Sequence, residues 1–139
     1  MIAMRVMPIV LCLLALPAAA EFSATITGVT DYDFRGVSQS AEDPALQGSL
    51  DFEHESGFYA GVWGSQIDFG DCCDENLELD YYAGYYGEIR EGFEYDVGVI
   101  YYDFPGTDTD LAYPEVYVGG IWNQFDAKLS YTNDFFAID

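Results

Sequence analysis

A chain of 139 residues has room for one domain, and its 25 acidic against 4 basic residues, a net charge of −21, exclude nucleic acid and anionic lipid headgroups as partners. Acidity on this scale goes with disorder when aromatic residues are scarce, but 12 Tyr and 10 Phe supply enough apolar surface for a folded chain. With one histidine, His54, and no GxSxG-type motif, the sequence is not that of a recognisable enzyme, and no cofactor is expected.

Residues 1–20, MIAMRVMPIVLCLLALPAAA, read as a secretory signal peptide: an early Arg5, an apolar run from Val6 to Leu16, and small residues at Ala18 and Ala20 before the cleavage point. The run is too short to span a membrane as a helix, which takes about 20 residues. Leu11 stands before Cys12 where a lipobox needs a small side chain, so lipid anchoring is not expected. Removing the leader takes Arg5 and no acid, which leaves a charge of −22. Export also permits a disulfide, but the mature chain offers only the adjacent Cys72 and Cys73, whose ring would be strained; free or intermolecular thiols stay open.

From Phe22 the even positions run Phe22, Ala24, Ile26, Gly28, Thr30, Tyr32, Phe34, Gly36, while Ser23, Thr25, Thr27, Asp31, Asp33 and Arg35 occupy the odd ones. Successive side chains of a strand point to opposite faces, so this spacing predicts one long strand with an apolar and a polar side. After the turn residues of SAEDPA, a second run sets Leu46, Leu50 and Phe52 against Gln47, Asp51 and Glu53. Five further runs follow at about 58–69, 76–89, 93–104, 114–123 and 125–133. Both sides of the third are largely apolar, and its phase cannot be assigned.

The connections after the second, fourth and sixth runs are tight, and those after the first, third and fifth are longer and mostly acidic. That sorting of turns and loops to opposite ends is the habit of an outer-membrane barrel. Strand length, aromatics near strand ends (Phe22, Phe34, Phe58, Phe69, Tyr101, Phe104, Trp122) and many small residues on the apolar side point the same way. A secreted acidic β-sandwich, with the apolar side inward, is the alternative that periodicity alone leaves open.

The segments GVTDYDFRGVSQS (Gly28 to Ser40), PALQG, SGFYAGVWGSQIDF, ELDYYAGYYGE, PEVYVGG and AKLSYTNDFF resemble the TorF-type porin family, first described among proteobacterial proteins of unknown function as Gcw_chp. Asp31, Tyr32, Phe34, Arg35, Gly36 and Ser38 carry the most specific part of the likeness; Thr30 stands where the family usually has Ser. The resemblance implies an all-β, antiparallel, up-and-down transmembrane barrel in the Gram-negative outer membrane, and it transfers no site residues. Seven runs are odd in number and the last, NDFFAID, lacks a terminal aromatic, so residues 21–139 are expected to be the N-terminal portion of a barrel.

In that sense of the pattern the lumen is lined by Asp31, Asp33, Arg35, Asp51, Glu53, Glu78, Asp80, Glu94, Asp96, Glu115 and Lys128. Rings of carboxylates concentrate cations, which predicts passive, cation-preferring diffusion of small solutes, with outer-membrane lipid as the other partner and the oligomeric state open. A non-conducting structural or adhesive barrel is the competing function. Arg35, beside so many acids, is expected to form an ion pair that fixes register. The acidic loops GDCCDEN and PGTDTDLAYP match no EF-hand and are expected to be solvated, and His54 is expected to be an interface residue; no metal site is expected.

Overall fold

The computed structural model describes residues 20–70, 76–106 and 111–135. Cys72 and Cys73, and residues 1–19 of the predicted signal peptide, lie outside the described residues. The described residues form nine strands: β1 (Ala20–Val29), β2 (Asp33–Phe34), β3 (Val37–Ser38), β4 (Ala45–His54), β5 (Phe58–Gln66), β6 (Leu77–Arg90), β7 (Phe93–Asp103), β8 (Tyr113–Trp122) and β9 (Phe125–Tyr131). Seven of them form one antiparallel meander in the order β1-β4-β5-β6-β7-β8-β9, and β2 pairs with β3 in a separate hairpin. No α-helix occurs among the described residues.

The all-β, up-and-down expectation therefore holds, and from β4 onward the observed strands coincide with the predicted runs to within a few residues. Tight turns join β4 to β5, β6 to β7 and β8 to β9, with Gly57 at φ 94° and Gly92 at φ 75° taking left-handed positions that suit a residue without Cβ. The longer connections lie at the opposite end. Among the described residues β1 and β9 each have a sheet partner on one side only, and the sheet is not closed into a barrel.

The first run departs from expectation. Strand β1 ends at Val29 instead of continuing to Gly36, because local polar groups outcompete the sheet ladder for the backbone. The Asp31 carboxylate accepts hydrogen bonds from the hydroxyls of Ser38 (2.6 Å) and Ser40 (3.1 Å), and Ser40 Oγ accepts from the Tyr32 amide at 2.9 Å. Arg35 and Gly36, at φ 52° and 84°, then make a two-residue hairpin turn of the kind that needs two positive φ angles. Alternation survives the break, since β2 and β3 are strands too, but it belongs to a different element.

Residues opposed in an antiparallel pair share a face, so the register sorts the whole sheet. One row reads Asp51, Gly61, Tyr82, Ile100, Glu115; the next reads Glu53, Tyr59, Gly84, Gly98, Tyr117, Ser130. The other face carries Phe22, Leu50, Phe52, Val62, Tyr81, Val97, Val99, Val116, Val118 and Leu129. This also fixes the phase of the third run: Tyr59, Gly61, Trp63 and Ser65 lie on the polar face, and Phe58, Ala60 and Val62 on the apolar one.

The hairpin lies across the polar face. Tyr32 packs on Trp63 of β5 (ring centroids 5.3 Å apart), Phe34 on Tyr102 of β7 (5.8 Å), and Arg35 reaches Glu115 of β8 at 2.7 Å. Strand β8 lies five strand spacings from β1, about 24 Å in a flat sheet, and the chain from Val29 to Arg35 crosses that width with the help of the long Arg35 side chain. The Tyr59 and Tyr117 hydroxyls also meet, from strands three spacings apart. Both contacts draw distant strands together over the polar face, as a sheet curled toward that face does.

Beneath the loops a small core gathers Ile67, Tyr102, Phe104 and Tyr113, with Tyr32, Phe34, Phe69, Ile100 and Leu111 packed against it. This corrects the aromatic-girdle expectation for Phe34, Phe69 and Phe104, which turn inward under the hairpin and loops. Phe22, Phe58, Tyr101 and Trp122 stay exposed on the apolar face, as expected.

Candidate functional site: the acidic face and the hairpin across it

Eight of the eleven residues picked out as lumen-lining share the polar face of the sheet: Asp51 and Glu53 on β4, Glu78 and Asp80 on β6, Glu94 and Asp96 on β7, Glu115 on β8 and Lys128 on β9. The other three sit in the hairpin. Asp31 is tied into its base by Ser38 and Ser40, Asp33 accepts a hydrogen bond from the Gly36 amide at 2.8 Å, and Arg35 forms its tip. Arg35 thus does not share a strand face with Asp31 and Asp33, contrary to the alternating pattern.

At the loop end, the Arg35 Nη2 donates to both oxygens of Glu115, at 2.9 and 2.7 Å, and the Tyr102 hydroxyl approaches Glu115 Oε1 at 3.4 Å. The guanidinium lies over the Phe34 ring, 4.7 Å from its centroid. Burial by itself would lower the Arg35 pKa, but the hydrogen bond and charge of Glu115 outweigh it and raise it, so the cation persists. Tyr32 donates from its hydroxyl to Glu78 Oε1 at 3.2 Å. Burial, then the charges of Glu78 and Asp80, push the Tyr32 phenol far above its ordinary value, which keeps it a neutral donor. The hairpin is secured at its base by the Asp68 amide, which donates to the Gln39 carbonyl at 2.8 Å, and by the Gln39 amide, which donates to the Tyr32 carbonyl at 2.6 Å.

Halfway down the face lies a tyrosine layer that the sequence did not single out. Tyr82 donates to Asp51, and Tyr59 donates to Asp96 while meeting the Tyr117 hydroxyl. Each ring lies over a glycine of the neighbouring strand: Tyr82 over Gly61, Tyr59 over Gly84, Tyr117 over Gly98. A Cβ at any of the three glycines would collide with the ring above it, so glycine is what lets the tyrosines lie flat on the wall. The signal was present in the sequence as strand glycines opposite tyrosines, but two of the three pairs involve β5, whose phase the sequence left open.

Toward the tight turns the face opens. Glu53 and Lys128 are exposed there, with the Lys128 Nζ 3.7 Å from the Tyr117 ring centroid. An open cavity of about 630 Å³ is lined by Glu53, His54, Tyr59, Tyr86 and Asp96 among others. His54 itself is occupied locally, its Nδ1 accepting from the Ser56 amide at 3.1 Å. Among the described residues no three His, Cys, Asp or Glu side chains converge to hold a metal ion.

A search of the curated proteins found no match to the chain, and neither did a search of the solved structures. One family model does match, over residues 16–137, a span that includes every strand described above, and it is the family that the hairpin motif resembles. The chain belongs to the family described as "Bacterial protein of unknown function (Gcw_chp)".

Proposed function

We propose that this chain forms the wall of an outer-membrane β-barrel that passes small solutes by diffusion, with preference for cations, and that the signal peptide directs its export. The observation that carries the reading is the sense of burial. Leu50, Phe22 and Leu129 are 62%, 71% and 72% exposed, whereas Glu78 and Glu115 retain 3% and 2%. A water-soluble sheet buries its apolar side. A barrel in lipid does the reverse, with an apolar exterior and a polar lumen.

Two further features fit. Phe22, Phe52, Phe58 and Tyr85 form a continuous ladder of rings, 4.9 to 6.4 Å between successive centroids, along the turn end of the apolar face, where an interfacial belt would sit. The polar face curls inward and carries seven of the predicted carboxylates against one lysine, a field that concentrates cations.

Planar-bilayer recording on the full-length chain under a KCl gradient tests this. The expected result is discrete conductance steps with a reversal potential on the cation-selective side; anion preference, or silence from a product that shows heat-dependent gel mobility, overturns it. The second result would instead favour a non-conducting structural barrel, a reading that the hairpin lying over Glu78 and Glu115 also suits.

A further inference from the structure

We propose that the hairpin from Asp31 to Ser40 is a constriction bar across the lumen, latched by Arg35 on Glu115, and that Arg35 sets the size limit and moderates the charge selectivity of the passage. The inference rests on the pore reading and deepens it by naming the element that decides what passes.

The geometry is unusual for a loop that merely links two neighbouring strands. Strands β1 and β4 are adjacent and antiparallel, and a short turn would join them; the chain instead spends residues 30–44 on an excursion across the sheet. Its ring contacts fall on β5 and β7, its hydroxyl contact on β6, and its tip on β8. Every one of these contacts is to the polar face, so the bar lies inside the curl of the sheet. Arg35 at its tip adopts φ 52°, a left-handed conformation that favours glycine and that other residues enter at a cost.

The latch is polar and the bar is narrow, which makes it a device and not a plug fused to the wall. Its base is fixed by Tyr32 and by the Asp68–Gln39 backbone bond, whereas its tip is held by Phe34 on Tyr102 and Arg35 on Glu115, and the Arg35 side chain remains 45% exposed. A passing solute would therefore meet a guanidinium on one side and the carboxylates of Asp51 and Asp96 further along the wall. A cation at the narrow point followed by carboxylates along the wall admits small, hydrated cations and slows bulky ones.

The experiment compares single-channel conductance and liposome swelling with sugars of graded size for the native full-length chain, the Arg35→Gln/Glu115→Gln double variant, and a chain in which residues 33–38 are replaced by two glycines. Heat-dependent gel mobility confirms closure of each. Release of the bar is expected to raise conductance at least twofold and to admit larger sugars, and an Arg35→Gln chain, which keeps the Glu115 carboxylate, is expected to strengthen cation preference. Re-tethering by a bifunctional thiol reagent in an Arg35→Cys/Glu115→Cys chain, on a Cys72→Ser/Cys73→Ser background, is expected to return conductance to the native level. A silent native chain overturns the pore reading and the bar with it, whatever the released variants do. Native conductance that neither release variant changes overturns it while leaving the pore intact; silence of all the chains overturns both.

Discussion

The two faces of the sheet have the same secondary structure and opposite chemistry, and what separates them is cover. Among the described residues nothing packs on the apolar face of β4, β7 and β8, and Leu50, Val99 and Val116 stand at least half exposed. The polar face has a hairpin, loops and a tyrosine layer folded over it, and its carboxylates at the loop end are the most buried charged groups described. Burial in this chain is therefore achieved by hydrogen bonds and ring stacking over acids, a costly arrangement unless the other face has somewhere apolar to go.

That difference is broken most directly on the apolar side. Leu50→Arg is expected to destabilise the full-length chain in phospholipid vesicles by about 2–4 kcal/mol, the cost of a cation at mid-membrane on a barrel exterior. If that face meets water, the same change costs about 0.5 kcal/mol or less. Equilibrium urea unfolding followed by gel mobility distinguishes the two values.

On the polar side the largest effect belongs to the latch. Arg35→Ala leaves Glu115 buried without its guanidinium and is expected to cost about 2 kcal/mol, less than the 3–5 of a fully buried pair because the Arg35 side chain is 45% exposed. Adding Glu115→Gln to that variant removes the orphaned charge and should restore at least half of the loss. Both values come from the same unfolding series, and failure of the double variant to recover would mean that the aromatic contacts of Phe34, and not the ion pair, hold the hairpin.

One step down is the tyrosine layer. Gly98→Val places a branched side chain where the Tyr117 ring lies and where the Ala83 carbonyl passes close beneath. Overpacking of this kind costs about 1–3 kcal/mol. Gly119→Val, on the same face of the sheet but with only ordinary contacts around its added atoms, should cost much less. Equal losses at the two positions would show that glycine serves the strand backbone and not the ring.

The strand pattern was legible because it depends on period-two alternation, which burial on one side enforces wherever the chain pairs in a ladder. The acidic face could likewise be read, residue by residue, from Asp51 to Lys128. The fate of Asp31–Ser40 could not, since a hairpin and the tail of a long strand share the same alternation; the clue was Arg-Gly at the centre with Asp31 and Ser40 positioned to cap it. Nor could sequence say that Phe34, Phe69 and Phe104 turn inward, because an aromatic at a strand end fits a membrane belt and a loop core equally well. The pairing of Arg35 with Glu115 spans 80 positions in the chain and depends on the curl of the sheet, which no local pattern encodes.

The smallest effect tests whether the open end of the polar face has any electrostatic organisation of its own. Lys128 holds its ammonium over the Tyr117 ring, and Tyr117 in turn meets Tyr59, so one cation is linked through two phenols to Asp96. The site is exposed, which limits a cation–π contact to about 0.5–1 kcal/mol. Lys128→Met keeps most of the stem and removes the charge, and should cost about 0.5 kcal/mol, whereas Lys128→Arg, still a cation able to stack, should cost nothing measurable. In conductance the order differs: Met, by removing a positive charge from a wall of carboxylates, should shift the reversal potential further to the cation side, and Arg should leave it in place. A Met variant that loses stability without moving the reversal potential would assign Lys128 to packing alone and place the selective part of the passage at the hairpin.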